Sequence, residues 1–154
     1  MNYPRIALAG VAAWLVSIAL GYLINDVWLF RLYQANAWAF RRPDDLAELV
    51  PIGLAAQLLG SLAFAFAYAK GYEPNREASG SAQGIRFGLI IAIIVDGFAV
   101  VWNYVAEPIA PRLGLLQILG IVGQFGFCGA IVGLIYHPSR VTLPRTEENY
   151  DLRG

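Results

Sequence analysis

Few residues in this chain are equipped to do chemistry, and Asp96 stands apart from the rest. It lies near the middle of GIRFGLIIAIIVDGFAVVWNYVAE, residues 84–107, with apolar residues on both sides. An ionised carboxylate at the centre of a bilayer costs roughly 2.5 kcal/mol or more, so an acid there is expected to face protein or water rather than acyl chains. Asn103 and Glu107 follow at seven and eleven residues, which puts all three on one stripe of a continuous α-helix. Such a stripe could carry a proton, hold a cation or grip a ligand amine. The bland alternative is a hydrogen bond from Asp96 to Gln57, Gln124 or a backbone carbonyl.

The other candidates are weaker. Gln57 is the one amide in its apolar run, where a hydrogen bond to a neighbouring helix contributes about 1 kcal/mol. Gln117 and Gln124, seven residues apart, form a second polar stripe that could answer Asp96 across a helix pair. Glu107 and Asp26 are expected at the same membrane face, paired with Arg112 or Arg31. His137 is the sole histidine. At a helix end it could ligate a haem or chlorophyll, although a capping role is the simpler expectation. With one histidine and one cysteine, Cys128, the chain is expected to hold no protein-only metal site and no internal disulfide. Cys128 reads as a small apolar residue packed inside a helix.

No phosphate-cradling glycine loop, dinucleotide fingerprint, zinc-binding H-E-x-x-H or serine elbow occurs. The expectation is a non-enzyme with no catalytic residues, and the residues name no cofactor. Formal net charge is zero, so no basic field draws nucleic acid.

These residues must be positioned by apolar elements, because 58% of the 154 residues are hydrophobic and 14% charged. A soluble domain carries about 25% charged residues, so lipid is the expected solvent for much of the surface. Four apolar runs approach the roughly 20 residues needed to cross hydrocarbon: about 6–24, 49–69, 84–107 and 113–136. The N-terminal run is read as a retained span rather than a cleaved signal, being long and interrupted by Trp14. Between the first two spans, VWLFRLYQANAWAFRR (27–42) is dense in aromatics and arginine, which predicts an interfacial helix, or a continuation of span one bending into the interface. Asp44 or Asp45 is expected to cap the second span and Pro51 to sit in its first turn. Pro108 is expected to end the third. Gly84 and Gly88, and again Gly129 and Gly133, have the G-x-x-x-G spacing of close-packed membrane helices. The predicted fold is all-α: four transmembrane helices over 1–137, with a polar tail over 138–154.

The first span running into GYLINDVWLFRLY, the third span GIRFGLIIAIIVDGFAVVWNYV with its short turn, and the glycine-rich fourth span resemble a family of small four-span bacterial inner-membrane proteins of unknown function. The resemblance covers residues 1–137 in general shape. It implies a location in the bacterial inner membrane and adds no catalytic residue.

Lysine and arginine at the span ends divide seven to four, with the excess at the N-terminus, the second loop and the tail. That bias predicts both termini in the cytoplasm. The glycine density of span four points to a non-enzymatic membrane protein packing through small-residue faces, a homo-oligomer or an accessory subunit of a larger complex. The alternative is a small transporter or lipophilic-ligand binder centred on Asp96.

Overall fold

The computed structural model describes residues 1–73 and 79–136; His137 and the 138–154 tail lie outside the described residues. The described chain is all-helical: α1 (Tyr3–Tyr22), α2 (Phe30–Ala35), α3 (Pro43–Lys70), α4 (Gly80–Val95), α5 (Val101–Ala106) and α6 (Pro111–Tyr136). A π-helical turn, Leu23–Trp28, extends α1, and a second, Asp96–Val100, joins α4 to α5. The continuous apolar helices are therefore Tyr3–Trp28, Asp44–Lys70, Gly80–Ala106 and Pro111–Tyr136, each 26 or 27 residues with mean hydropathy of 1.9 to 2.2. At 1.5 Å per residue each is about 40 Å long, enough to cross a hydrocarbon core of about 30 Å. Their outer faces carry Ile52, Leu59, Ile93, Phe98 and Trp102, all more than two-thirds exposed. In water that surface would aggregate; in a bilayer it is the lipid-facing wall.

Helix ends follow local chemistry. The Asn2 side chain caps α1 by accepting from the Arg5 amide, and Ser79 caps α4 by accepting from the Ala82 amide. Two expectations at α3 are corrected. Arg42 is the N-cap, Pro43 opens the helix with its fixed φ, and Asp44 and Asp45 occupy the first turn, beside the positive end of the dipole. Pro51 lies inside the helix, not in its first turn. After span one both expected forms occur in part: the Leu23–Trp28 turn continues the span, and a short α2 and a single 3₁₀ turn, Ala37–Ala39, follow it. Pro108 does end the third span, which stops at Ala106 with Glu107 extended.

The four long helices run up and down. α1 packs against α3 and α6, and α6 packs against α4. The α4–α6 seam is the closest. A Cβ on Gly84 would land on the Gly129 carbonyl, one on Gly88 on the Phe125 carbonyl, and one on Gly133 on the Gly80 carbonyl. The two G-x-x-x-G pairs thus face each other within one chain, and backbone meets backbone. The buried core lies at this end: Ile6, Ala9 and Ala13 of α1, Ala65, Tyr68 and Ala69 of α3, and Cys128 and Val132 of α6. The Cys128 thiol donates to the Ala13 carbonyl at 3.5 Å. Phe64, Phe87 and Phe125, with Tyr68, Tyr72 and Tyr136, form a run of ring contacts with centroids 5.0 to 6.2 Å apart that joins α3 to α4 and α6. The Tyr68 hydroxyl donates to the Gly80 carbonyl at 3.1 Å.

The opposite end is looser. Residues 44–56 of α3 are all exposed. Closure there comes from the connecting segments. Leu29, Ile109 and Leu113 are buried, and buried Asn36 accepts from the Ala110 amide at 3.1 Å while donating to the Leu32 carbonyl at 2.8 Å. This latch ties the α2 region to the turn between α5 and α6.

Candidate functional site

The gap left by the exposed half of α3 is a half-open cleft of about 500 Å³. Its polar lining comes from five elements: Asn25 and Tyr33 from the end of span one and α2, Gln57 from α3, Asn103 from α5, Glu107 at its end, and Gln117 and Gln124 from α6. Ile24, Phe40, Val100, Ile109 and Ile121 supply apolar wall, and Gly21 and Gly120 lie between them. A second, mainly apolar cavity of about 360 Å³ runs toward the aromatic end, lined by Ala13, Gly60, Phe64, Val95, Phe125 and Cys128 among others. Gln57, Ile121 and Gln124 line both, so the two are neighbouring compartments of one groove.

Two hydrogen-bonded knots set the lining. In the deeper one Gln57 of α3 and Gln124 of α6 both donate to the Ser17 hydroxyl of α1 at 2.8 Å, and Gln124 also donates to the Ser17 carbonyl at 2.8 Å. One serine thereby links three spans. In the outer knot Asn25 donates to the Gly21 carbonyl at 2.9 Å, Tyr33 donates to the Asn25 side-chain oxygen at 3.0 Å, and Gln117 donates to the Tyr33 hydroxyl at 2.9 Å. The directions are forced, because a backbone carbonyl only accepts, which orients the Asn25 amide and then each partner in turn. Burial pushes the Tyr33 phenol above its ordinary pKa of 10.0; the Gln117 bond opposes this and the Asp26 charge adds to it. Tyr33 is therefore a neutral donor at physiological pH.

Of the residues expected to form the site, Asn103, Glu107, Gln57 and Gln124 line the cleft, and Asp96 does not. Asp96 is 6% exposed, and neither carboxylate oxygen has a hydrogen-bond partner among the described residues. It continues the stripe Gly80, Gly84, Gly88 and Ala92 at four-residue steps, all buried. This is the stripe whose glycines press on α6, so Asp96 belongs to the seam. The single stripe expected for Asp96, Asn103 and Glu107 assumed an unbroken α-helix. The π turn begins at Asp96 and its wider winding swings the later two residues to a different face. Gln117 and Gln124 likewise answer Tyr33 and Ser17, not Asp96.

Sequence reasoning missed Ser17, Asn25 and Tyr33 as site residues. A signal existed: Ser17, Gly21 and Asn25 repeat at four-residue spacing on one face of span one, opposite the Gln117 and Gln124 pair. The pairings of Glu107 with Arg112 and of Asp26 with Arg31 do not form; the ion pair at this end joins Arg42 to Asp45 at 3.3 Å. Among the described residues no three His, Cys, Asp or Glu side chains gather into a metal-binding group.

Comparison with protein-family models, curated proteins and solved structures finds no match. Fold and surface together define an all-α membrane protein of four spanning helices. Its distinguishing feature is a polar cleft at the loose end of the bundle.

Proposed function

We propose that this protein is a non-enzymatic binder or carrier of an amphipathic molecule taken from the bilayer. The observation that carries the reading is the pair of adjoining cavities: a head group would sit among the amides of the polar cleft, and a chain would lie in the apolar one. Polar side chains are costly at membrane depth and gather where they meet one another, water or a ligand. Adjoining cavities of about 500 and 360 Å³ are of the size of small-molecule sites. The site of this reading is the amide-lined cleft and not Asp96.

The test is extraction of the protein in mild detergent and mass spectrometry of what stays bound. One amphiphile enriched over the host membrane, and lost in Gln124→Leu, supports the reading. Lipids in host-membrane proportions from both proteins refute it.

A second reading is an oligomer or an accessory subunit of a larger membrane complex. It is favoured by α3, where a side chain added at exposed Gly53 would meet nothing within 4 Å. The glycines of span four give it less support, since Gly120, Gly129 and Gly133 are already faced by groups of the same chain. Crosslinking through Gly53→Cys in native membranes separates the two. For orientation we propose both termini in the cytoplasm of a bacterial inner membrane, supported by the lysine and arginine bias. Labelling of Asn2→Cys by an impermeant maleimide from outside intact cells would overturn it.

A further inference from the structure

We propose that the head group held in the cleft is a cation, an amine or quaternary ammonium, so that the ligand is a cationic amphiphile. The inference rests on the amphiphile reading above and adds the sign of the head group. Glu107 lies exposed at the cleft wall and is the one charged side chain among the lining residues. Among the described residues no lysine or arginine lines the cleft: Arg31 and Arg112, though near in sequence, are absent from its wall. An anionic head would therefore meet a like charge and no counter-charge, and a cationic head would meet a carboxylate.

The neutral groups of the wall offer acceptors as well as donors. Gln124 directs both of its N–H donors to Ser17, so what it has left for the cleft is a carbonyl oxygen. The Tyr33 hydroxyl proton is committed to Asn25. Asn25, Gln57 and Gln117 each spend one N–H on the knots and keep another, and Asn103 lies beside them, so the amides can meet a head group of either sign and the charge of Glu107 decides between them. The Tyr33 and Phe40 rings, 5.3 Å apart and tilted by 59°, both line it. Rings and a carboxylate lining one cleft are groups that hold ammonium ions, through ring quadrupole and charge together. The apolar cavity beyond Gln57 and Gln124 takes the chain.

The test uses full-length protein in nanodiscs of uncharged lipid, with three radiolabelled ten-carbon probes below their micelle concentrations: decyltrimethylammonium, decyl maltoside and decyl sulfate. Empty nanodiscs correct for partitioning. Saturable binding of decyltrimethylammonium about tenfold or more tighter than decyl sulfate is expected, with the preference lost in Glu107→Gln and weakened in Phe40→Leu. Thermal unfolding of both variants in detergent should stay close to that of the parent, which shows that they are folded. Equal binding of all three probes, or tighter binding of decyl sulfate, overturns the cationic assignment and leaves the amphiphile reading standing. A cationic preference that survives Glu107→Gln overturns the assignment to this cleft. Saturable binding of none of the three overturns both.

Discussion

At the end of the bundle where α1 begins and α6 ends, α4 and α6 lie so close that a methyl group on Gly84, Gly129 or Gly133 would strike a backbone carbonyl or carbon. Toward the other end Gly53 and Gly97 have nothing within 4 Å. The first region is held by backbone contact and stacked rings, the second by amide and hydroxyl hydrogen bonds around a groove. The same residue type thus has opposite value in the two places, and the difference is one of distance between helices. Stability is concentrated where the helices touch, and the groups fit for recognition lie where they part.

The comparison can be broken most forcefully at the seam. Gly129→Leu should destabilise by about 3 kcal/mol or more, enough to lose folded protein, because backbone cannot yield as a side chain can. Gly97→Ala should change stability by less than about 0.5 kcal/mol. Thermal unfolding in detergent reads both, and equal effects would dissolve the contrast. Next in size is Tyr68, fully buried among rings. Tyr68→Ala should cost about 3–5 kcal/mol and Tyr68→Phe about 1 kcal/mol, the latter for the lost bond to Gly80. At the loose end Gln124→Leu should cost about 1 kcal/mol in the same assay. Its main effect should be on bound ligand, so binding falls while the fold persists.

The smallest effect is expected at Tyr33. Its folded pKa is raised above 10.0, so the neutral phenol is favoured by folding. That contribution is whole below pH 10, declines as pH rises through the unfolded value, and levels off above the folded one. Tyr33→Phe should remove this alkaline decline while lowering neutral-pH stability by about 1 kcal/mol or less. A parent whose stability is flat from pH 9 to 11 would contradict the buried placement of this ring.

The four helices were legible because apolar runs of membrane length have few other uses. The α4–α6 seam was legible too, since Gly84, Gly88, Gly129 and Gly133 carry the spacing for close approach. The candidate site was legible only in pieces. Gln57, Asn103, Glu107 and Gln124 could be named from their cost in lipid, but their grouping depends on helix phase. The π turn at Asp96–Val100 has no local sequence signature and reassigns every face after it. Tyr33 and Phe40 read as interfacial anchors beside Trp28 and Trp38, because an aromatic segment does not announce which rings fold inward. The two tryptophans are exposed, whereas Tyr33 and Phe40 line the cleft. Pro43 and Pro51 both have the fixed φ of a helix-opening residue; the helix starts at the earlier one, which leaves Pro51 in its interior.

The position of α6 between α1 and α4 also bears on biogenesis. It is the last of the four spans to leave the ribosome, yet it supplies partners for both the first and the third. Until it emerges, the Ser17 carbonyl lacks the Gln124 donor and the glycines of α4 face lipid. Nascent chains halted before residue 111 should therefore be poor at holding their early spans together, and assembly should become cooperative once the final helix enters the membrane.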